Sequence, residues 1–148
     1  MPRTSIVVAS LAVYGSPTNV PTGTPAILNF PNTFKNSHPG SYAAGTYTVQ
    51  VTGWYDVNGW AEISSSTTAS GNATDLRLYK NGVYTGISGL CRATGAIGSL
   101  PISMTTRQYF VAGDLISLRA TTNFSGVWSW GASGYNAHME ITFVGDSI

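Results

Sequence analysis

Side chains able to do chemistry are few in this chain: two histidines, one cysteine and six carboxylates among 148 residues. His38 falls in a loop beside Pro39. His138 lies on an alternating stretch, where a lone histidine is usually a hydrogen-bonded surface or interface residue. Asp56, Glu62, Asp75, Asp114, Glu140 and Asp146 never occur at the local spacing of a paired acid and base. Asp114, directly after Gly113, has a turn-stabilising job instead. Cys91 is alone, which excludes an intrachain disulfide and a cysteine-based zinc site and leaves a half-buried small apolar residue. No glycine-rich phosphate loop precedes a helix. The expectation is a binding or structural module with no catalytic residue, no metal and no cofactor, and not an enzyme.

Aromatic residues are the more informative positions. Trp54 and Trp60 alternate out of phase with the apolar set of their stretch, so they fall on the face that should be polar. Leaving such rings wet costs about 25 cal/mol per Å2, so a covering loop or a neighbouring subunit is expected over them. We expect the subunit interface to use Trp54, Trp60, His138 and Glu140. Trp128, Trp130 and Tyr135 sit in a Gly/Ser-rich loop, either as a lid on one end of the domain or as a sugar-stacking platform.

The elements that must hold these residues are strands. Only 9% of the chain is charged, Gly numbers 17, and Thr, Val, Tyr and Trp are plentiful, an alphabet for pleated sheet and turns. The net charge of +1 comes from seven basic and six acidic residues spread singly along the sequence. No run of Lys and Arg predicts a nucleic-acid or membrane partner. Tyr47, Val49 and Val51 alternate with Thr48 and Gln50. Tyr55, Val57, Gly59, Ala61 and Ile63 share one face, opposite Trp54, Asp56, Asn58, Trp60 and Glu62. Asn81-Gly82, after the alternating Leu76 and Leu78, is a tight hairpin signal. Thr85–Ser99 is punctuated by glycine and has no clear period. Ile116, Leu118 and Ala120 face together, as do Ala137, Met139, Ile141 and Phe143. The first strand of the domain is expected from Ala26 to Phe34. Some eight to ten antiparallel strands and no helix predict an all-β sandwich or barrel.

The first 26 residues read differently. Arg3 followed by SIVVASLAVYG has one basic residue and a short apolar run, the outline of a weak secretory signal. We expect instead a strand or docking arm over residues 1–14, within an extended N-terminal segment, 1–26, that ends in a linker with Pro17, Pro21 and Pro25 at even spacing. Its residues Ile6, Val8, Leu11, Val13 and Tyr14 are the candidates for docking against the domain, a sister subunit or a partner. The domain proper then spans 27–148.

The order of motifs resembles the complement component 1q and tumour necrosis factor superfamily. Tyr47-x-Val49-x-Val51-x-Gly53-Trp54-Tyr55 resembles its aromatic-rich strand and the V-x-G-x-Y step that follows. DLRLYKNG (Asp75–Gly82) is similar to its central strand and hairpin, and FVAGDLISLRAT (Phe110–Thr121) to its Gly-acid strand. AHMEITFV resembles the last strand, which in that family ends the domain in the middle of a sheet. The resemblance, over about Ile27 to Val144, implies a jelly roll that trimerises. The family's acidic calcium loop has no counterpart here, and a Pro/Thr arm replaces its stalk or anchor. Phage and bacterial proteins use this jelly roll in fibre tips and capsid decorations, and the small, charge-poor chain looks more like those. The expected role is a capsid decoration (cement) protein of a virion, a homotrimer bound to the major capsid protein. The alternative is a receptor- or glycan-binding tip that uses Trp128, Trp130 and Tyr135.

Overall fold

The computed structural model describes residues 9–15, 23–64, 70–95, 99–123, 129–130 and 137–146, and within these the side chains of 63, 64, 99, 129 and 130 are left out. The described strands are β1 (Ser10–Tyr14), β2 (Ala26–Ile27), β3 (Asn32–Asn36), β4 (Tyr42–Ala43), β5 (Thr46–Thr48) and β6 (Gly53–Ser64). They continue as β7 (Ala73–Lys80), β8 (Val83–Arg92), β9 (Ser99–Phe110), β10 (Leu115–Thr122), β11 (Ser129–Trp130) and β12 (Ala137–Gly145). No helix occurs among the described residues.

Two antiparallel sheets face each other. The first runs β9-β6-β12-β1-β3, with β11 continuing the β12 position along β6. The second runs β4-β5-β10-β7-β8, with β2 pairing β10 beyond the end of β5. The first described strand therefore lies beside the last, and the last sits inside the sheet. This is the jelly-roll sandwich.

The period-two pattern decides which side chains meet between the sheets. Tyr55, Val57 and Ala61 of β6 are fully buried, as are Leu76 and Leu78 of β7 and Ile116, Leu118 and Ala120 of β10. Ala137, Met139 and Ile141 of β12 complete the same cluster. Ring contacts tie its end together: Tyr55 meets Phe143 edge-on at 5.3 Å and Phe110 at 5.8 Å.

The N-terminal boundary needs correction. Leu11 and Val13 belong to this core, each 1% exposed, and β1 is hydrogen-bonded to β12 on one side and β3 on the other. The sandwich thus begins before residue 26, and β1 is an integral strand and not part of a free arm. The stretch from Ala26 to Phe34 is likewise two elements. Ile27 pairs with Arg119 in one sheet, while Asn32 pairs with Tyr14 in the other, so the chain crosses between the sheets over Leu28–Pro31.

Tight turns set the register. Asn81 and Gly82 both take positive φ (51° and 80°), the mirror-image turn that matches strand twist. Asp114 ties this hairpin to the β9–β10 turn. Its carboxylate accepts the Val111 N–H and the Asn81 side-chain amide, each at 2.8 Å, and pairs with Lys80 at 2.8 Å. Asn81 in turn accepts the Leu115 N–H. Burial raises the Asp114 pKa, but the Lys80, Val111 and Asn81 hydrogen bonds outweigh it and leave the carboxyl below its ordinary 3.8. A lowered folded pKa gives stability that is present above the ordinary carboxylate value and lost as pH falls through the folded one. Asp114→Asn should therefore destabilise the fold at neutral pH and flatten the acid side of its thermal-stability profile; an unchanged acid limb would remove Asp114 from that role.

Where the edge strands β8 and β9 close one side of the sandwich, Gly89 faces the backbone of the opposing sheet. A Cβ there would fall inside the contact distance of the Ser103 carbonyl oxygen. Gly89→Ala should cost about 1–3 kcal/mol in chemical denaturation, the usual penalty of overpacking. A neutral result would mean that the sheets separate freely at this edge.

Candidate functional site

Among the described residues the few reactive groups do not converge. The nearest approach to a nucleophile and base is Ser37 Oγ, 3.0 Å from His38 Nδ1. That hydroxyl accepts the Ser10 N–H at 2.8 Å and also bonds the Ser10 carbonyl, so it fastens β3 to β1. Among the described residues no three His, Cys, Asp or Glu side chains gather as a metal site would require.

What the fold does assemble is an outward face on the first sheet. Cross-strand register places Tyr14 opposite His138 and His138 opposite Trp60, so three rings stand in one row across β1, β12 and β6. Trp60 and His138 are stacked, with centroids 5.9 Å apart and planes at 20°. All three are half-buried. The next row is Ala12, Glu140 and Asn58. Beyond it Asp56 holds Arg107 through two hydrogen bonds, 2.7 and 2.9 Å, which lower the Asp56 pKa. Trp54 lies at the far end of β6, its ring edge-on to Tyr109 at 5.5 Å. Trp54 and Trp60 each meet a ring on their own sheet and are half-buried.

The rim of this face carries a feature without a sequence signal. Between β1 and β3 the register slips: Ala12 faces Lys35 and Val13 faces Thr33, which leaves Phe34 unpaired in a bulge. Phe34 is 83% exposed. It borders a shallow hollow of about 250 Å3 whose walls include Tyr14, His138 and Glu140.

Of the sequence-predicted residues, Trp60, His138 and Glu140 come together here, and Trp54 shares the face at a distance. Tyr14, expected on the arm, joins the same face. Leu11 and Val13 point the other way into the core, so neither can touch a capsid partner while the sheet is intact. Ile6, Val8, Trp128 and Tyr135 lie outside the described residues. Trp130 pairs with Ile63 through its backbone in β11, and its side chain is outside the description.

The second sheet shows what single-residue spacing hides. The basic residues are dispersed in sequence, yet Arg77 and Arg119 are direct cross-strand partners on its outward face. Arg119 lies over the Tyr79 ring at 4.1 Å, and Arg77 over Tyr84 at 5.3 Å. The only signal was their shared parity, opposite Leu76, Leu78 and Leu118; the pairing of β7 with β10 had to be known to use it.

With this geometry in hand the fold can be placed among known ones. No protein-family model matches the chain, and no curated protein does. Among solved structures it is similar to the globular domain of the zebrafish complement 1qA protein, with a TM-score of 0.61 over 91% of this chain and 94% of that chain. Sequence identity is 16%, so the likeness defines the architecture. The chain has the jelly roll of the complement 1q globular domain.

Because Leu11 is core, its truncation separates the two roles proposed for β1. Leu11→Ala should lower the unfolding free energy by about 2–5 kcal/mol in urea denaturation, as for other buried leucines. A change near zero would return β1 to the arm.

Proposed function

We propose that the chain is a structural virion protein, a capsid decoration protein that acts as a homotrimer bound to the major capsid protein at the capsid surface. The observation that carries the subunit contact is the Tyr14–His138–Trp60 row on the outward face of the first sheet. Half-covered rings in the middle of a sheet gain about 25 cal/mol per Å2 when a second copy takes the remaining water away. Low charge favours the same outcome, since interface cores are poor in charged residues.

On this reading the function is mechanical and needs no reacting group. Three jelly rolls presented together hold a shell with three weak attachments, and the effective concentration of the second and third makes the whole durable. The segment before β1, with Ile6 and Val8, is the attachment candidate. Any pull on it is borne by β1, whose hydrogen-bond ladders to β12 and β3 are loaded in shear.

Native mass and shell binding test the two halves of the proposal. The wild-type chain should scatter light as a trimer and co-sediment with shells of its cognate phage. Trp60→Asp should give a folded monomer, by circular dichroism and mass, with much weaker co-sedimentation. A wild-type monomer would overturn the interface, and a trimer that stays in the supernatant would overturn the decoration role.

A further inference from the structure

We infer that the outward face of the second sheet, opposite the proposed subunit interface, holds a binding site for an acidic sugar. The site is a hollow of about 410 Å3 where β7, β8 and β10 run side by side. Its chemistry comes from Asp75 and Arg77 on β7, Leu90 and Arg92 on β8, and Thr121 on β10. Register puts Thr121, Asp75 and Leu90 in one row across the three strands. Arg92 stands opposite Ala73, whose small side chain leaves the guanidinium room to reach inward.

Two of the residues that line this hollow, Asp75 and Thr121, each carry a buried polar atom that lacks a partner among the described residues. Arg77 Nε donates to Asp75 Oδ2 at 2.5 Å, but Asp75 Oδ1 is buried and unbonded. Thr121 is 8% exposed and its Oγ1 is also buried and unbonded. Buried polar atoms are satisfied in the great majority of cases, so two orphans on residues that line one hollow point to a ligand that supplies their hydrogen bonds. Arg92 is exposed and has no ion pair among the described residues.

These demands select the ligand class. Asp75 Oδ1 accepts only, so it needs a hydroxyl or amine donor. Thr121 Oγ1 can donate or accept, and so fits a second hydroxyl. The Arg92 fork suits a carboxylate, which it can bind through two parallel hydrogen bonds. Leu90, 55% exposed, gives a flat apolar surface for the C–H face of a ring. A simple anion would meet Arg92 but leave Asp75 Oδ1 without a donor; a neutral sugar would leave the Arg92 fork without the carboxylate it is shaped for. A sugar ring that bears both hydroxyls and a carboxylate, such as a hexuronate, meets all four. The site does not depend on the decoration reading, although a shell-bound trimer attached through other surfaces would display three copies of it.

Calorimetric titration of the full chain with glucuronate, glucose and sulfate tests the assignment. Glucuronate should bind saturably and more tightly than glucose or sulfate by about tenfold or more. Arg92→Ala, at an exposed position, and Thr121→Val, which keeps the shape, should each weaken glucuronate binding while circular dichroism shows an unchanged fold. Sulfate binding as well as glucuronate would reduce the site to a general anion hollow and overturn the proposal. So would no glucuronate binding, or binding that survives both substitutions.

Discussion

The pairing of β1 with β12 is the constraint on which the rest depends. It brings the first described strand against the last, at the centre of one sheet, and every outward row on that face is read across the resulting seam. Such a seam joins residues far apart in the chain, and the entropy of closing so long a loop must be met before the pairing gives anything back. Folding is correspondingly non-local. The same seam makes the core continuous: Leu11 and Val13 from one side and Met139 and Ile141 from the other fill the space above Leu76, Leu78 and Leu118.

Much of the sandwich was legible because alternation survives wherever one face is buried and the other is not. The stretches around Tyr55, Leu76, Leu118 and Met139 each keep a clean period of two, and each is a strand with that face inward. β8 was not legible for a physical reason. Its inward positions, Thr85, Ile87, Gly89 and Cys91, are only half-buried, and Gly89 must stay small against the Ser103 carbonyl of β9, so the row mixes polar, small and apolar residues and shows no clear period. β1 was legible as a strand or docking arm but was left outside the domain, because its apolar run is preceded by more apolar residues and followed by prolines, the composition of a tail. Only tertiary pairing distinguishes a buried strand from a sticky arm of that kind.

The interaction face was half legible. Phase alone placed Trp54 and Trp60 on the wrong side for core residues, and the structure keeps them there. Phase could not place Tyr14 beside His138, nor bring Arg77 to Arg119, because those neighbours depend on which strands pair and in what register. The two sheets consequently present different chemistry outward: stacked rings on one, guanidinium groups over tyrosines on the other. A module with two unlike faces can meet its own copies with one and a different partner with the other.

The bulge at Phe34 bears on solubility at high local concentration. Among the described residues β3 is the outer strand of its sheet, the position at which a sheet is open to unwanted extension. One extra residue breaks the even spacing that an incoming strand would have to match. The irregular edge thus acts as a safeguard against self-polymerisation.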